Sequence, residues 1–343
     1  MIKIGNSQKP FIIAELSGNH NGSLKNAIKL VRAAARCNVD AIKIQTYTAD
    51  TMTLDSKKKG FVINNKSSIW HGYKLYNLYK KAHTPWSWHK KIFQEAKKHN
   101  LICFSSPFDE SAINFLKKFN PPIYKIASFE NTDLRLIKLA AKTKKILIIS
   151  LGLATLSQIK KAVNTAKKNG CKKLILLKCT SDYPASNSDI NLSTIPILKR
   201  KFKCDIGLSD HTISLGAAIA AIGKGACVIE KHFKLNNVKS VDSKFSLDEK
   251  QMKLFVKEIH NAWESIGKAK FGPVNNEKKN LQFRRSIYTT KKIKKGEIFS
   301  VKNIKCVRPG YGLDTIHFDK ILNKRSKKNI NEAVALTWSH ISK

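Results

Sequence analysis

The chain has 343 residues, a 42% hydrophobic fraction and a formal charge of +40, enough material for one large core and a small additional domain. No run approaches the ~18 consecutive apolar residues of a membrane span, the opening residues lack a signal-peptide layout, and seven scattered cysteines without a C-x-x-C pair suit reduced core thiols in a cytoplasm better than a disulfide framework. Only eight of the 64 basic residues are arginine, so the charge reads as a solvated lysine surface, not as a nucleic-acid footprint built on arginine forks; its functional consequence is a field that draws anions.

Eight short apolar runs follow in chain order, at residues 11–16, 41–47, 101–107, 123–128, 146–152, 173–180, 204–211 and 226–233. Helical patterns lie between most of them. Leu24, Ala27, Ile28, Val31 and Ala35 form the face of the first helix. Thr155 to Gln158 is a capping box, and the same helix closes on Lys167-Lys168-Asn169-Gly170. Ser246-Leu247-Asp248-Glu249 opens a longer helix in the same way, with Met252, Phe255, Val256, Ile259 and Trp263 on one stripe. Eight buried strands alternating with helices predict a (β/α)8 TIM barrel, whose active site gathers at the C-terminal ends of the strands. The connection from Thr48 to Thr84 is too long for a simple βα unit, and such loops sit over that face, so it reads as a partial lid. A Gly, Pro, Asn and Lys-rich stretch marks a linker. The expected organisation is a barrel over residues 1–267, a linker over 268–283 and a small β-rich domain over 284–343.

The strand ends supply the candidate chemistry: Glu15, Lys43 with Gln45, Ser105, Lys125 with Ser128, Ser150, Lys178, Asp210 with His211, and Glu230 with His232. Lys43 and Lys125 interrupt apolar strands, and a buried lysine is costly without an anionic partner. With Ser105, Ser128 and Ser150 they describe a pocket for a small, multiply charged anion; the alternative is that Glu15 and Glu130 neutralise them as structural ion pairs. His211 and His232 end neighbouring strands, where two imidazoles could bind one divalent cation.

The motifs Ile13-Ala14-Glu15-Leu16-Ser17-Gly18-Asn19-His20-Asn21-Gly22, Lys43-Ile44-Gln45-Thr46-Tyr47, Tyr124-Lys125-Ile126-Ala127-Ser128-Phe129-Glu130, Gly207-Leu208-Ser209-Asp210-His211-Thr212 and Ile229-Glu230-Lys231-His232-Phe233 resemble, in order, the sialic acid synthase family. The segment over 284–307 with Arg308-Pro309-Gly310 is similar to that family's antifreeze-like SAF domain. The resemblance implies condensation of phosphoenolpyruvate with an acetamido sugar to a nine-carbon 2-keto acid, with release of phosphate and a requirement for Mn2+ or Mg2+. It implies that His211 and His232 are the metal ligands and that Lys43, Ser105, Lys125, Ser128 and Ser150 hold phosphoenolpyruvate. Glu15, the choice for catalytic base, would face the sugar with Gln45, Tyr183 and Asp242, and Glu130, Asp210 and Glu230 join the substrate-binding set. Ser181 stands where the family usually carries Asn. Arg308 is expected to reach across a domain-swapped homodimer and bind an acetamido group in the partner's pocket. Leu16-Ser17-Gly18 and the run from Gln45 to Asp55 look most like the pseudaminate branch, whose sugar is 2,4-diacetamido-2,4,6-trideoxy-L-altrose; the alternative is an N-acetylneuraminate or legionaminate synthase of the same family.

Overall fold

The computed structural model describes residues 2–5, 7–66 and 68–342. It divides into two compact units, Met1–Gly267 and Lys268–Lys343.

The first unit is a closed barrel of parallel strands in sequence order: β1 (Phe11–Glu15), β2 (Ala41–Thr46), β3 (Ile102–Pro107), β4 (Ile123–Ile126), β5 (Ile146–Ser150), β6 (Lys173–Cys179), β7 (Asp205–Asp210) and β8 (Val228–His232). The barrel closes where β8 pairs with β1, Glu15 opposite His232. Strand side chains alternate between two faces, which divides the apolar residues in two. One set, including Phe11, Ile13, Phe104, Ile123, Ile148, Ile175, Leu177 and Val228, fills the barrel interior. The other, including Ile12, Ile42, Ile126, Ile149, Leu176, Ile206 and Ile229, packs against the helices. Gly207 is required by this crowding, because a Cβ there would lie 2.6 Å from Leu177 Cδ2 and 2.8 Å from Val228 Cβ. The interior is thus a packed floor, and only its C-terminal mouth is open to a ligand.

Local sequence explains the helices around it. In helix Leu156–Lys168, Thr155 and Gln158 form the expected capping box and Ile159, Ala162, Val163 and Ala166 are buried. Its chain leaves through Asn169 and a Gly170 at φ +93°. The first helix, Leu24–Arg36, is turned slightly from the expected face: Leu30, Ala33 and Ala34 are buried with Ala27 and Val31, while Leu24, Ile28 and Ala35 are only half-buried. Helix Glu249–Ile266 starts later than expected. Asp248, not Ser246, is its cap, paired with Gln251, because the Ser246 hydroxyl donates instead to Asp242 O and accepts from Asn19.

All seven cysteines are free, with Cys103, Cys179 and Cys227 buried. Among the described residues no helix is long and apolar enough to cross a membrane.

The second unit holds an antiparallel pair, β9 (Ser286–Thr289) and β10 (Ile304–Val307). Its own small core contains Ile287, Ile293, Phe299, Ile304, Ile321, Ile330, Leu336 and Ile341.

Candidate active site

The C-terminal mouth of the barrel encloses a cavity of about 420 Å³. Lys43, Gln45, Lys125, Ser128, Glu130, Ser150, Tyr183, His211, Glu230, His232 and Asp242 all line it. Glu15 lies directly beneath this lining, fully buried.

Its floor is a charge cluster. Lys43 Nζ is 2.6 Å from Glu15 Oε2 and 3.6 Å from Glu230 Oε1, and Lys125 Nζ is 3.7 Å from the same Glu230 oxygen. Ser209 donates to Glu230 Oε1 at 3.3 Å. Burial opposes ionisation of every member, and the balance differs for each. Glu230 stays below the usual carboxylate range because Lys125 and Lys43 outweigh its desolvation. Burial raises Glu15 against the pull of Lys43. For Lys43 the two carboxylates outweigh burial and raise it, whereas burial lowers Lys125. Glu130 is pushed up to about 7 by burial, with Lys125 opposing.

Ser150 Oγ, Glu130 Oε2, Glu230 Oε2 and His232 Nδ1 are buried here without a protein hydrogen-bond partner. Buried polar atoms are nearly always paired in folded proteins. Four orphans in one cavity, beside two lysines, mark a site shaped for a polar, anionic ligand.

The rings of His211 and His232 lie 5.4 Å apart. Thr180 O lies 2.9 Å from His211 Nδ1 and anchors that nitrogen, leaving Nε2 for another partner. Burial and the neighbouring His211 lower His232 well below the ordinary imidazole value, so it stays neutral, as a ligand must. This pair and the orphaned His232 Nδ1 fit two ligands of one divalent cation, the remaining positions going to water or substrate. No cluster of three His, Cys, Asp or Glu side chains suited to a metal occurs among the described residues. Tyr183 packs over His211 at 4.3 Å and Phe245 against His232 at 4.8 Å, which fixes both rings.

Above the charges the wall turns polar and then apolar. Gln45 donates to Glu15 Oε1 at 2.9 Å and to Ser17 Oγ at 3.2 Å. The long β2 connection contributes Met52, Ile63, Trp70, Leu75, Leu78 and Tyr79 to the lining. Trp70 is tied down by donating from Nε1 to Val241 O at 3.0 Å, and its ring meets that of Tyr183.

Three strand-end residues expected at the site, Ser105, Lys178 and Asp210, are not in the cavity; Lys178 pairs in register with the outward Leu208 and donates to Cys179 O and Thr180 Oγ1. Ser105 pairs in register with Ile44 and points outward, its hydroxyl 2.6 Å from that of Thr46, which in turn contacts the buried His89. The inward position is Ser106, opposite Gln45, and it accepts from Lys43 Nζ at 3.3 Å. Asp210 also points outward, in a buried ion pair with Lys231 at 2.7 Å; its inward neighbour is Ser209. Ser106 and Ser209 were readable by counting two residues from Phe104 and from His211. Cys179, expected only as a reduced core thiol, lies beside His211; His211, Ser128 and Ser181 together outweigh burial and hold its thiol down to about 6. Arg308 belongs to the second unit and is exposed there.

A model described as the NeuB family matches residues 30–271, and one described as the SAF domain matches residues 284–342. The chain is 46% identical over 342 residues to a pseudaminic acid synthase of Campylobacter jejuni, covering 98% of this chain and 99% of the relative. It is 37% identical to an N,N'-diacetyllegionaminic acid synthase of the same species, covering 95% and 98%. A crystal structure of an N-acetylneuraminic acid synthetase from Leptospira borgpetersenii superposes with a TM-score of 0.73 at 32% identity, covering 82% of this chain and 94% of that one.

Proposed function

This chain belongs to the NeuB family, and we propose that it condenses phosphoenolpyruvate with 2,4-diacetamido-2,4,6-trideoxy-L-altrose to pseudaminic acid, releasing phosphate by C–O cleavage. The observation that carries this choice of sugar is the near-complete alignment, at 46% identity, with a pseudaminic acid synthase, against 37% for the legionaminic relative.

Lys43 and Lys125, with the Ser128 and Ser150 hydroxyls, hold the phosphate and carboxylate of phosphoenolpyruvate, a role for which the unpartnered Ser150 Oγ speaks. Ser106 and Ser209, which approach the same lysine–glutamate cluster, extend that cradle. Gln45, Tyr183 and Asp242 orient the sugar aldehyde against carbon 3 of phosphoenolpyruvate, and holding both substrates in line supplies much of the rate. As positive charge builds at carbon 2 and water adds there, the Glu230 carboxylate and the two lysines meet the moving charge with dipoles already in position. Glu15 takes the proton of the adding water at a carboxylate oxygen; its burial keeps its carboxyl above the usual range and so better suited to a base. His211 and His232 hold Mn2+ or Mg2+, which when bound supplies Lewis-acid polarisation of the aldehyde.

The SAF unit completes the site in a homodimer, with Arg308 reaching the partner's pocket to bind an acetamido group. The enzyme works in the cytoplasm, and its product is a precursor of a cell-surface polymer. The test is phosphate release with phosphoenolpyruvate and Mn2+ on three sugars: the trideoxy-altrose, N-acetylmannosamine and the legionaminate precursor. Release with the altrose sugar alone, abolished by chelator, supports the reading; release with another sugar moves the substrate within the family.

A further inference from the structure

Ser17 stands two residues after the end of β1, where the chain turns from the barrel, with φ +41°. That left-handed region is disfavoured for any residue with a Cβ and free to glycine. The next residue is a glycine, yet it serves another purpose. A Cβ on Gly18 would lie 2.6 Å from Val241 Cγ2 and 3.2 Å from Ala82 Cβ, so close packing reserves that position. The chain therefore carries a side chain at the strained position, and strain of this kind clusters at functional sites, where surrounding structure over-determines it.

The surroundings do so here. Asn19 donates to Phe233 O and Ser246 Oγ, both at 2.8 Å, and accepts from the Ser240 hydroxyl at 2.5 Å. His20 Nδ1 accepts from Gly22 N at 3.1 Å. The turn is thus clamped to the loop after β8.

What the strain secures is visible in the hydrogen bonds of Ser17. Its backbone N–H donates to Glu15 Oε1 at 3.0 Å, and its hydroxyl donates to Asp242 Oδ2 at 2.5 Å while accepting from Gln45 Nε2 at 3.2 Å. Gly18 N adds a bond to the same Asp242 oxygen at 3.3 Å. One residue, itself part of the cavity wall, links three side chains that come from β1, β2 and the loop after β8.

We propose that Ser17 is a positioning residue for the sugar half of the reaction, its left-handed backbone holding Glu15, Gln45 and Asp242 in one rigid array. This rests on the sugar-facing roles given to those three residues above. The phosphoenolpyruvate cradle of Lys43, Lys125, Ser128 and Ser150 has no hydrogen bond to Ser17 among the described residues and meets it only at second hand, through the Lys43–Glu15 pair.

Glycine at this position separates function from folding. In the full-length enzyme with saturating Mn2+, Ser17→Gly relieves the backbone strain and deletes the hydroxyl. The expected result is a Tm above that of Ser17→Ala, which loses the same buried hydroxyl bond but keeps the strain, with kcat/KM for the sugar reduced roughly 10- to 100-fold, the scale of a misplaced reacting group, and KM for phosphoenolpyruvate within about twofold. Ser17→Ala keeps the Cβ and loses the hydroxyl, and should show the same kinetic split without the gain in Tm. Parent-like sugar kinetics in both variants overturns the proposal, as does a loss shared equally between the two substrates. The sugar is whichever one supports phosphate release by the parent enzyme, so a mistaken sugar assignment shows in the parent and a mistaken role for Ser17 shows only in the variants.

Discussion

Lys43 Nζ lies 2.6 Å from Glu15 Oε2, and both side chains are almost wholly buried at the barrel mouth. The pair reconciles two readings of the strand lysines, because the same ammonium is neutralised by the protein and still borders the cavity. Lys43→Met leaves Glu15 buried without its partner, which costs about 3–5 kcal/mol. Adding Glu15→Gln should restore most of that stability in urea unfolding while turnover stays lost. A double variant no more stable than Lys43→Met would show that the pair is not the source of the loss.

Lys125 differs in having one ion pair among the described residues, with Glu230 at 3.7 Å. Removing it leaves Glu230 still paired with Lys43 at 3.6 Å, so Lys125→Met should fold. Its KM for phosphoenolpyruvate should rise at least tenfold, about 1.4 kcal/mol of lost anion binding, with KM for the sugar little changed. Equal changes in both would mark Lys125 as structural. Steady-state titration of each substrate at saturating concentrations of the other decides it.

Glu130 introduces a pH limb. Burial raises its carboxyl from 4.5 to about 7, so it is neutral in mildly acidic solution and becomes an anion beside an anion site above pH 7. KM for phosphoenolpyruvate should therefore rise as pH passes 7, and Glu130→Gln should flatten that rise. The stability linked to this group has the same sign: it is fully present below 4.5 and is lost as pH rises through about 7. A Glu130→Gln profile identical to the parent's would assign the limb to another group.

Much of the site was legible because barrel strands obey period two. Lys43, Gln45, Lys125, Ser150, Glu230 and His232 all sit at inward positions of strands whose ends were recognisable. A list of strand ends without a register does not say which way each residue faces: Ser105 and Asp210 were expected in the cavity, whereas Ser106 and Ser209 hold the inward positions. The aromatic wall was legible only in outline, as a long connection over the active-site face, and not residue by residue. Trp70 lies in a stretch without periodicity, and its position depends on a bond to Val241, 171 residues away. The start of helix Glu249–Ile266 was ambiguous because Ser246 and Asp248 are both good caps, and only the tertiary bond of Ser246 to Asp242 O decides between them.

Asp210 and Lys231 offer a check on that correction. Both side chains are fully buried and paired at 2.7 Å behind the barrel wall, and Asp210 also accepts from Thr212 N and Thr212 Oγ1. Asp210→Ala strands the lysine and should cost about 3–5 kcal/mol, read as a lower urea midpoint. At a temperature where the variant is folded, its KM for either substrate should match the parent's. A selective rise in one KM would return Asp210 to the site.

The two histidines carry the metal assignment, and its test needs more than lost turnover. Thr180 and Tyr183 fix His211 from both sides, so His211→Ala removes a ligand while leaving Tyr183 and Phe245 to hold His232. The variant should fold with an unchanged far-UV spectrum, and Mn2+ binding by calorimetry should weaken at least 100-fold, about 2.7 kcal/mol. In the parent, chelation should abolish phosphate release and Mn2+ should restore it. Mn2+ binding also requires neutral imidazoles, so metal affinity should fall as pH drops and His211, which Cys179 and Thr180 raise despite burial, takes up a proton. Turnover unaffected by chelation, or Mn2+ binding undiminished in His211→Ala, removes the cation from this pair and leaves His211 and His232 as polar wall for the substrate.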